Sequence, residues 1–237
     1  MVNLNGKVYV FAGQTNTSVN VALPRQELGP ELNDMWAFTS ENEFVEVVPD
    51  NDPPTARHDH AAVVTQDKMH VSFGKGDGGF VFFPDVWEYD PETNRWREVP
   101  SSGGSEPSRR SLQSAVAAPS GQRLVFGGQD KDGAALSDLW TFNLSDGSWT
   151  KNASLPGDPR FGHSAAVIEK TMFIFGGETE DDTVLNETWE YRFRDRIWPR
   201  RADLPLALRQ TAATALPSQV NRATTAILPS HEGEEVR

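Results

Sequence analysis

The sequence has no cysteine and no apolar run long enough to span a bilayer. The absence of cysteine excludes disulfides, thiolate metal sites and cysteine nucleophiles. A transmembrane helix needs roughly 18 consecutive apolar residues, and the opening "MVNLNGKVYVF" lacks the basic segment and longer apolar core of a secretory signal. We therefore expect a cytoplasmic protein with no membrane partner.

Basic residues are also scarce. Lys and Arg number 22 against 34 Asp and Glu, which gives a formal net charge of −12. Binding to nucleic acid without sequence specificity depends on a net basic surface. The charge therefore argues against a nucleic-acid partner.

What the sequence does contain is a repeat marked by tryptophan. An acidic-x-Trp-x-aromatic stretch recurs at intervals of 51, 53 and 49 residues, at Trp36, Trp87, Trp140 and Trp189. A second aromatic residue follows each stretch, at Phe44, Trp96, Trp149 and Trp198. Burial of one such side chain is worth about 4 to 6 kcal/mol, so their regular recurrence predicts a core between repeats.

Two further segments recur upstream of these tryptophans. One is an apolar run that ends in glycine, at Gly13, Gly74, Gly128 and Gly177. The other begins with arginine and precedes the last three of these runs, at Arg57, Arg110 and Arg160, with a weaker copy at Arg209 after the last tryptophan. Turn signals such as "PETN", "LSDG" and "PSGQ" separate the segments, so each unit predicts four short antiparallel strands. The glycine permits a positive φ and a close approach of neighbouring backbone.

A four-stranded sheet of this size cannot bury both faces alone, and radial stacking of such sheets gives a β-propeller. The order Arg, His/Ser-Ala, Phe-Gly-Gly, Asp-x-Trp-x-Tyr/Phe and a later Trp resembles the kelch repeat over residues 6 to 216. Unit one departs from the pattern at Ala12 and Phe44, and unit two at Lys75. The resemblance implies an all-β propeller of about four kelch-type, four-stranded antiparallel blades.

The units divide one domain, residues 1–217, into 1–52, 53–103, 104–155, 156–205 and a final strand at 209–216, and we expect a loosely ordered polar tail at 218–237. Asn5-Gly6, a hairpin dipeptide, directly precedes the second strand of unit one. We expect the first strand of that unit to be missing, and 209–216 to replace it beside Val8 to Phe11. Four blades is the lower bound for propellers, so the sequence is consistent with both a closed ring and an incomplete ring.

Antiparallel order assigns each connection to one of two rims. The loop rim carries the connections between strands two and three and between blades, and the turn rim carries the two hairpin turns of each blade. Arg57, Arg110, Arg160 and Arg209 each begin the innermost strand, on the loop rim. The resemblance implies that arginines at such positions contact an acidic peptide at the channel mouth. The alternative is that they hold neighbouring loops through carbonyls and carboxylates.

The turn rim carries a second basic patch, which consists of Arg192, Arg194, Arg196, Arg200 and Arg201. Alternation at 192, 194 and 196 predicts that one strand face presents three positive charges. A solvated edge and an acidic partner are the two interpretations.

These features predict a protein-interaction module, a kelch-type scaffold or adaptor that recognises a protein partner through its rim loops. We expect no enzyme activity and no cofactor. The alternative is a metal-dependent propeller enzyme of the iron-dependent or oxidase type. Copper oxidases with kelch-like propellers need a cysteine, and the repeat positions of His60 and His163 favour a framework role.

Overall fold

All regular structure in the described residues is β-strand. The structure is a computed structural model that describes residues 1–16 and 28–210, together with the backbone of 212–213 and 227–228. Within those ranges no helix is long and apolar enough to cross a membrane.

Blade 1 is a four-stranded antiparallel sheet in the order β1-β2-β3-β4. Its strands are β1 (Val2–Leu4), β2 (Lys7–Asn16), β3 (Leu28–Phe38) and β4 (Phe44–Glu46). Asn5 and Gly6, with φ of 52° and 78°, form the turn between β1 and β2. The expectation that the first strand is missing is therefore wrong.

Blade 2 contains a similar sheet in the order β10-β9-β6-β5 and a separate two-stranded hairpin. In chain order its strands are β5 (Ala61–Thr65), β6 (Lys68–Ser72), β7 (Lys75–Gly76), β8 (Val81–Phe82), β9 (Val86–Asp90) and β10 (Arg95–Glu98). The hairpin of β7 and β8 extends the loop between the second and third strands of the blade.

Blade 3 repeats this sheet in the order β12-β13-β15-β16. Its strands, with the short β11–β14 pair, are β11 (Arg110–Ser111), β12 (Ser114–Ala117), β13 (Arg123–Phe126), β14 (Gln129–Asp130), β15 (Leu139–Phe142) and β16 (Trp149–Lys151).

Blade 4 has three strands, β17 (Ser164–Ile168), β18 (Thr171–Phe175) and β19 (Thr188–Arg192). Bridges from Trp189 to Arg200 and from Arg192 to Ile197 take the place of a fourth strand. After blade 4, β20 (Ala212–Ala213) pairs with β21 (Ile227–Leu228). Residues 227–228 belong to the predicted tail, and the rest of 218–237 lies outside the described residues.

The innermost strands of successive blades lie side by side in the order β1, β5, β12, β17 and β20. This is the radial arrangement of a propeller with four blades. The predicted pairing of 209–216 with Val8 to Phe11 is wrong, because β1 and β3 occupy both edges of β2. Among the described strands, no comparable contact joins β20 to β1.

Backbone hydrogen bonds connect each blade to the next at the glycine that ends the apolar run of its repeat. These N–H groups donate across the blade boundary: Gly13 to the Arg57 carbonyl (2.9 Å), Gly74 to Arg110 (3.0 Å), Gly128 to Arg160 (3.0 Å) and Gly177 to Leu208 (2.7 Å). Gly128 has a φ of +101°, and a Cβ there would lie 2.7 Å from the Ser111 carbonyl oxygen. The predicted close approach is thus confirmed.

The second aromatic residue of three blades packs on the preceding blade. Ring centroids are 4.8 Å apart for Trp96 and Phe11, 5.8 Å for Trp149 and Phe73, and 5.3 Å for Trp198 and Phe126. These three tryptophans are buried, as are Trp140 and Trp189, while Trp36 and Trp87 are half-buried. The tryptophan core is therefore confirmed at five positions. Phe44 differs, since its ring packs on Phe38 of its own blade, with 5.0 Å between the centroids, and is 60% exposed.

Candidate functional site

Three of the predicted site arginines bind a carboxylate of their own blade. Arg57 Nη1 and Nη2 donate to Asp85 at 2.7 and 2.8 Å. Arg110 donates in the same way to Asp138 at 2.6 and 3.0 Å. Arg160 Nη2 donates to Glu187 Oε2 at 2.6 Å. We call these three pairs the arginine clamps.

Each clamp arginine also holds the backbone on either side of it. Its Nε donates to the carbonyl two residues earlier, and its Nη1 to the carbonyl after the second strand. In the Arg110 clamp these carbonyls belong to Ser108 (2.9 Å) and Gly127 (3.0 Å). The guanidinium therefore joins the chain segment that enters the blade to the loop above the second strand.

The clamp carboxylates also accept from the tryptophan of the repeat. The indole Nε1 donates to the carboxylate two residues earlier in Trp87 (2.7 Å), Trp140 (2.6 Å) and Trp189 (2.9 Å). Burial raises the pKa of Asp138, but the hydrogen bonds from Arg110 and Trp140 outweigh it and hold the pKa below its usual value. The acid of the Asp-x-Trp motif thus accepts hydrogen bonds from both the clamp arginine and the tryptophan of the same motif.

The clamp arginines do not present their side chains at the channel mouth, where a peptide contact was expected. Arg57, Arg110 and Arg160 are fully buried, with 0% of each side chain exposed. Their donors are directed at carboxylates and carbonyls inside the blades, which is the alternative role named from sequence. The signal that could have found it is the spacing, since the acid follows its arginine by 28, 28 and 27 residues.

Arg209 lies in a different setting. Its side chain is 42% exposed and pairs with the buried Glu178, which follows the second strand of blade 4. The structure therefore does not bring the four predicted arginines together as one exposed group. A direct role for them in partner binding stays a prediction, and the three clamps favour the framework role.

The secondary basic patch is also divided. Arg192 ends β19, whereas Arg194 and Arg196 lie in the following turn, so the predicted alternation along one strand face is wrong. Four of the five arginines form ion pairs: Arg192 and Arg201 with Glu190, Arg200 with Asp203 and Glu187, and Arg194 with its neighbour Asp195. Arg194 remains 93% exposed, 3.9 Å from Asp195.

The most exposed aromatic side chain of the loop rim was not singled out from sequence. Phe80 is 88% exposed at the tip of the β7–β8 hairpin. The hairpin is anchored on both sides, because Gly78 N–H donates to Glu31 Oε1 at 3.0 Å and Lys75 Nζ lies 3.2 Å from Asp59 Oδ2. The phenylalanines of "GGFVFF" are the only sequence signal for it.

The Arg57 clamp contacts the end of this hairpin through Phe83. The guanidinium carbon of Arg57 lies 4.3 Å from the ring centroid of Phe83, which directly follows β8. The Phe83 N–H donates to the Gly74 carbonyl at 3.0 Å. A buried framework contact therefore fixes the base of an exposed hairpin.

The histidines that directly precede β5 and β17 are neutral, with His163 buried and His60 half-buried. Burial lowers the pKa of His60 and of His163 to about 3. The His163 Nε2 lies 2.9 Å from the Ser114 hydroxyl, and its ring packs edge-on against Phe126. Across residues 1–16 and 28–210, no three His, Asp or Glu side chains are placed to hold a metal ion.

Comparison with known proteins gives one family and several relatives. The family model of the Attractin/LZTR1 beta-propeller matches residues 1–183 and 125–235. Kelch domain-containing protein 10 of Xenopus laevis is 28% identical over 173 residues, which are 70% of this chain and 39% of that protein. The Homo sapiens protein of the same name is 25% identical, over 70% of this chain and 36% of its own length. Tip elongation aberrant protein 1 of Schizosaccharomyces pombe is 31% identical over 60% of this chain and 12% of its own length. The chain thus spans less than two-fifths of the length of these relatives.

Proposed function

The chain belongs to the Attractin/LZTR1 beta-propeller family, and on this premise we propose that it is a protein-interaction module, a scaffold or adaptor that binds its partner through the loop rim. Propellers of the kelch type generally bind proteins. The blades supply a rigid frame, and the loops between their strands supply specificity.

The observation that supports this proposal is the position of Phe80. When a partner covers a large apolar side chain that is exposed to water, the free energy of the complex is lowered. Aromatic residues are enriched among interface hot spots. At 88% exposure Phe80 contributes little to the fold, yet its hairpin is held to Glu31 and Asp59. A partner would therefore meet a side chain whose position is already fixed, which lowers the entropy cost of binding.

The test compares the wild-type chain with Phe80→Ala and Phe44→Ala. Phe44 is a matched control, because it is another exposed phenylalanine but lies on the outer strand β4. Proteins captured by the wild type are identified by mass spectrometry, and the affinity of each purified partner is then measured directly. We expect Phe80→Ala to weaken binding by about 30-fold, the loss of a hot-spot contact of about 2 kcal/mol, and Phe44→Ala to leave it unchanged.

The melting temperature of both variants should match the wild type, since neither side chain is buried. Equal binding by the wild type and Phe80→Ala would show that the loop-rim hairpin is not the recognition surface.

A further inference from the structure

The turn rim has a cleft of about 540 Å³ between blades 3 and 4. Its apolar lining includes Leu124 of blade 3 and Tyr191 and Phe193 of blade 4. The charged side chains that line it are Lys170, Arg194 and Arg196, and all three are basic. The protein as a whole has a net charge of −12, so the positive charge of this cleft is opposite in sign to that of the whole chain.

Two of these cations have no acidic partner in the part of the chain that the structure describes. Of the ion pairs found there, Lys170 and Arg196 form none, and Arg194 has only Asp195 at 3.9 Å. The neighbouring Arg192 and Arg201, by contrast, both pair with Glu190. The charges that face the cleft are thus the ones left for a ligand.

The backbone holds these cations in a defined place. The Arg196 N–H donates to the Arg192 carbonyl at 2.8 Å and closes the turn, and Arg196 has a φ of +56°. The Phe193 N–H donates to the Lys170 carbonyl at 3.4 Å, which connects the two turns of blade 4. Lys170, Arg194 and Arg196 therefore extend from one connected piece of backbone.

The other blades show that this charge is not a requirement of the fold. The turns between the third and fourth strands of blades 1, 2 and 3 contain Glu41, Glu92 and Asp146 and no basic residue. These turns have the same place in the sheet, so a solvated hairpin turn does not need arginine there. The basic residues of blade 4 call for a separate explanation.

We propose that this cleft binds an extended acidic segment of a partner protein, with carboxylates on the three cations and an apolar side chain against Phe193. The inference rests on the proposed function only in taking the ligand to be a protein, and it concerns a different rim. Exposed, separated cations suit successive carboxylates along an extended chain, whereas a single phosphate is bound by donors that converge on one point. The acidic surface elsewhere would direct such a segment to this cleft by repulsion.

The test uses a fluorescent synthetic peptide with glutamates on both sides of a central leucine, and a matched peptide with glutamine in place of each glutamate. Fluorescence anisotropy measures binding to the full chain at low and high salt. We expect the glutamate peptide to bind, its affinity to fall with salt, and the glutamine peptide to bind at least tenfold more weakly.

Variants at the cleft identify the site. Lys170→Glu, Arg194→Glu and Arg196→Glu together should weaken peptide binding at least tenfold, and the milder Lys170→Gln and Arg194→Gln pair should weaken it severalfold. Lys7→Glu is the matched control, an exposed lysine beside a hairpin turn of blade 1 on the same rim. It should leave binding unchanged, as should Phe80→Ala, which separates this inference from the loop-rim proposal.

Melting temperatures show that the variants are folded. Absence of peptide binding at low salt, or binding that the cleft variants do not alter, would overturn the inference. So would binding of inorganic phosphate or a nucleotide that the glutamate peptide fails to displace.

Discussion

Arg110 and Asp138 face each other through two parallel hydrogen bonds, of 2.6 and 3.0 Å, inside blade 3. Arg110 lies at the start of β11, and Asp138 lies just before β15. The ion pair therefore connects the inner part of the blade to its outer part. Trp140 donates to the same aspartate at 2.6 Å. One buried ion pair thus fixes three landmarks of the repeat.

Arg110→Ala should destabilise the protein by about 3 to 5 kcal/mol, because it leaves the Asp138 carboxylate and two carbonyls without their donor. Arg109→Ala is the matched control, since the adjacent Arg109 is exposed and donates only to the Phe82 carbonyl. Urea denaturation of the two variants measures the difference. Lost partner binding with unchanged stability in Arg110→Ala would instead support a ligand-contacting arginine.

Trp149→Ala should cost about 3 to 5 kcal/mol of unfolding free energy, because it opens a cavity between blades 2 and 3. Phe44→Ala, at the equivalent position of blade 1, should change it by less than about 0.5 kcal/mol, since that ring is 60% exposed whereas Trp149 is 7% exposed. Thermal or urea denaturation tests the pair. Equal losses would contradict the packing of Trp149 on Phe73.

Acid should destabilise the fold through His60 and His163. Their folded-state pKa of about 3 lies below the unfolded value of about 6.5, so the unfolded chain takes up protons first and stability falls as the pH drops from 6.5 toward 3. At pH 5 the loss is about 2 kcal/mol for each histidine.

The control for this pH effect is present in the chain itself. Gln113 is the repeat equivalent of both histidines and is buried in blade 3. The double variant His60→Gln and His163→Gln should therefore fold and should lose most of the stability change between pH 7.5 and 5. Burial lowers the pKa of His70 to about 4, so a smaller dependence remains. An unchanged pH profile would show that these rings are not buried as neutral groups.

Gly128→Ala should be far more damaging than Gly133→Ala. Both glycines have a positive φ, of +101° and +88°, so both variants lose about 1 to 2 kcal/mol to backbone strain. Only at Gly128 would the new methyl group meet backbone, at 2.7 Å from the Ser111 carbonyl oxygen, which adds about 1 to 3 kcal/mol. Comparable melting temperatures would argue against the close approach of Gly128 to the Ser111 backbone within blade 3.

The repeat could be predicted from sequence because its landmarks are structural. The Trp96, Trp149 and Trp198 positions recur since each packs on the preceding blade. The strand β1 was missed because "VNL" lacks the arginine that begins the other inner strands. The turn at Asn5-Gly6 was itself a sign of a strand before it, since a hairpin turn connects two strands.

The site was harder to predict because side-chain direction depends on tertiary partners. An arginine at the start of an inner strand can face the channel or an acid of its own blade, and Arg57 faces Asp85. Likewise, the local sequence around Phe80 and Lys170 does not show which neighbours leave these side chains open. Such features belong to loops and turns, whose residues differ between blades while the strands repeat.

The hydrogen bonds between blades have a consequence for how the chain acquires its structure. The Gly74 N–H is buried and finds its acceptor only in Arg110, which belongs to the next blade, and Gly128 depends on Arg160 in the same way. During synthesis from the N-terminus, each newly made blade therefore supplies the acceptor that the previous one lacks. The backbone hydrogen bonds of each blade are thus completed only after the next blade has been synthesised, so their completion follows translation with a delay of one blade.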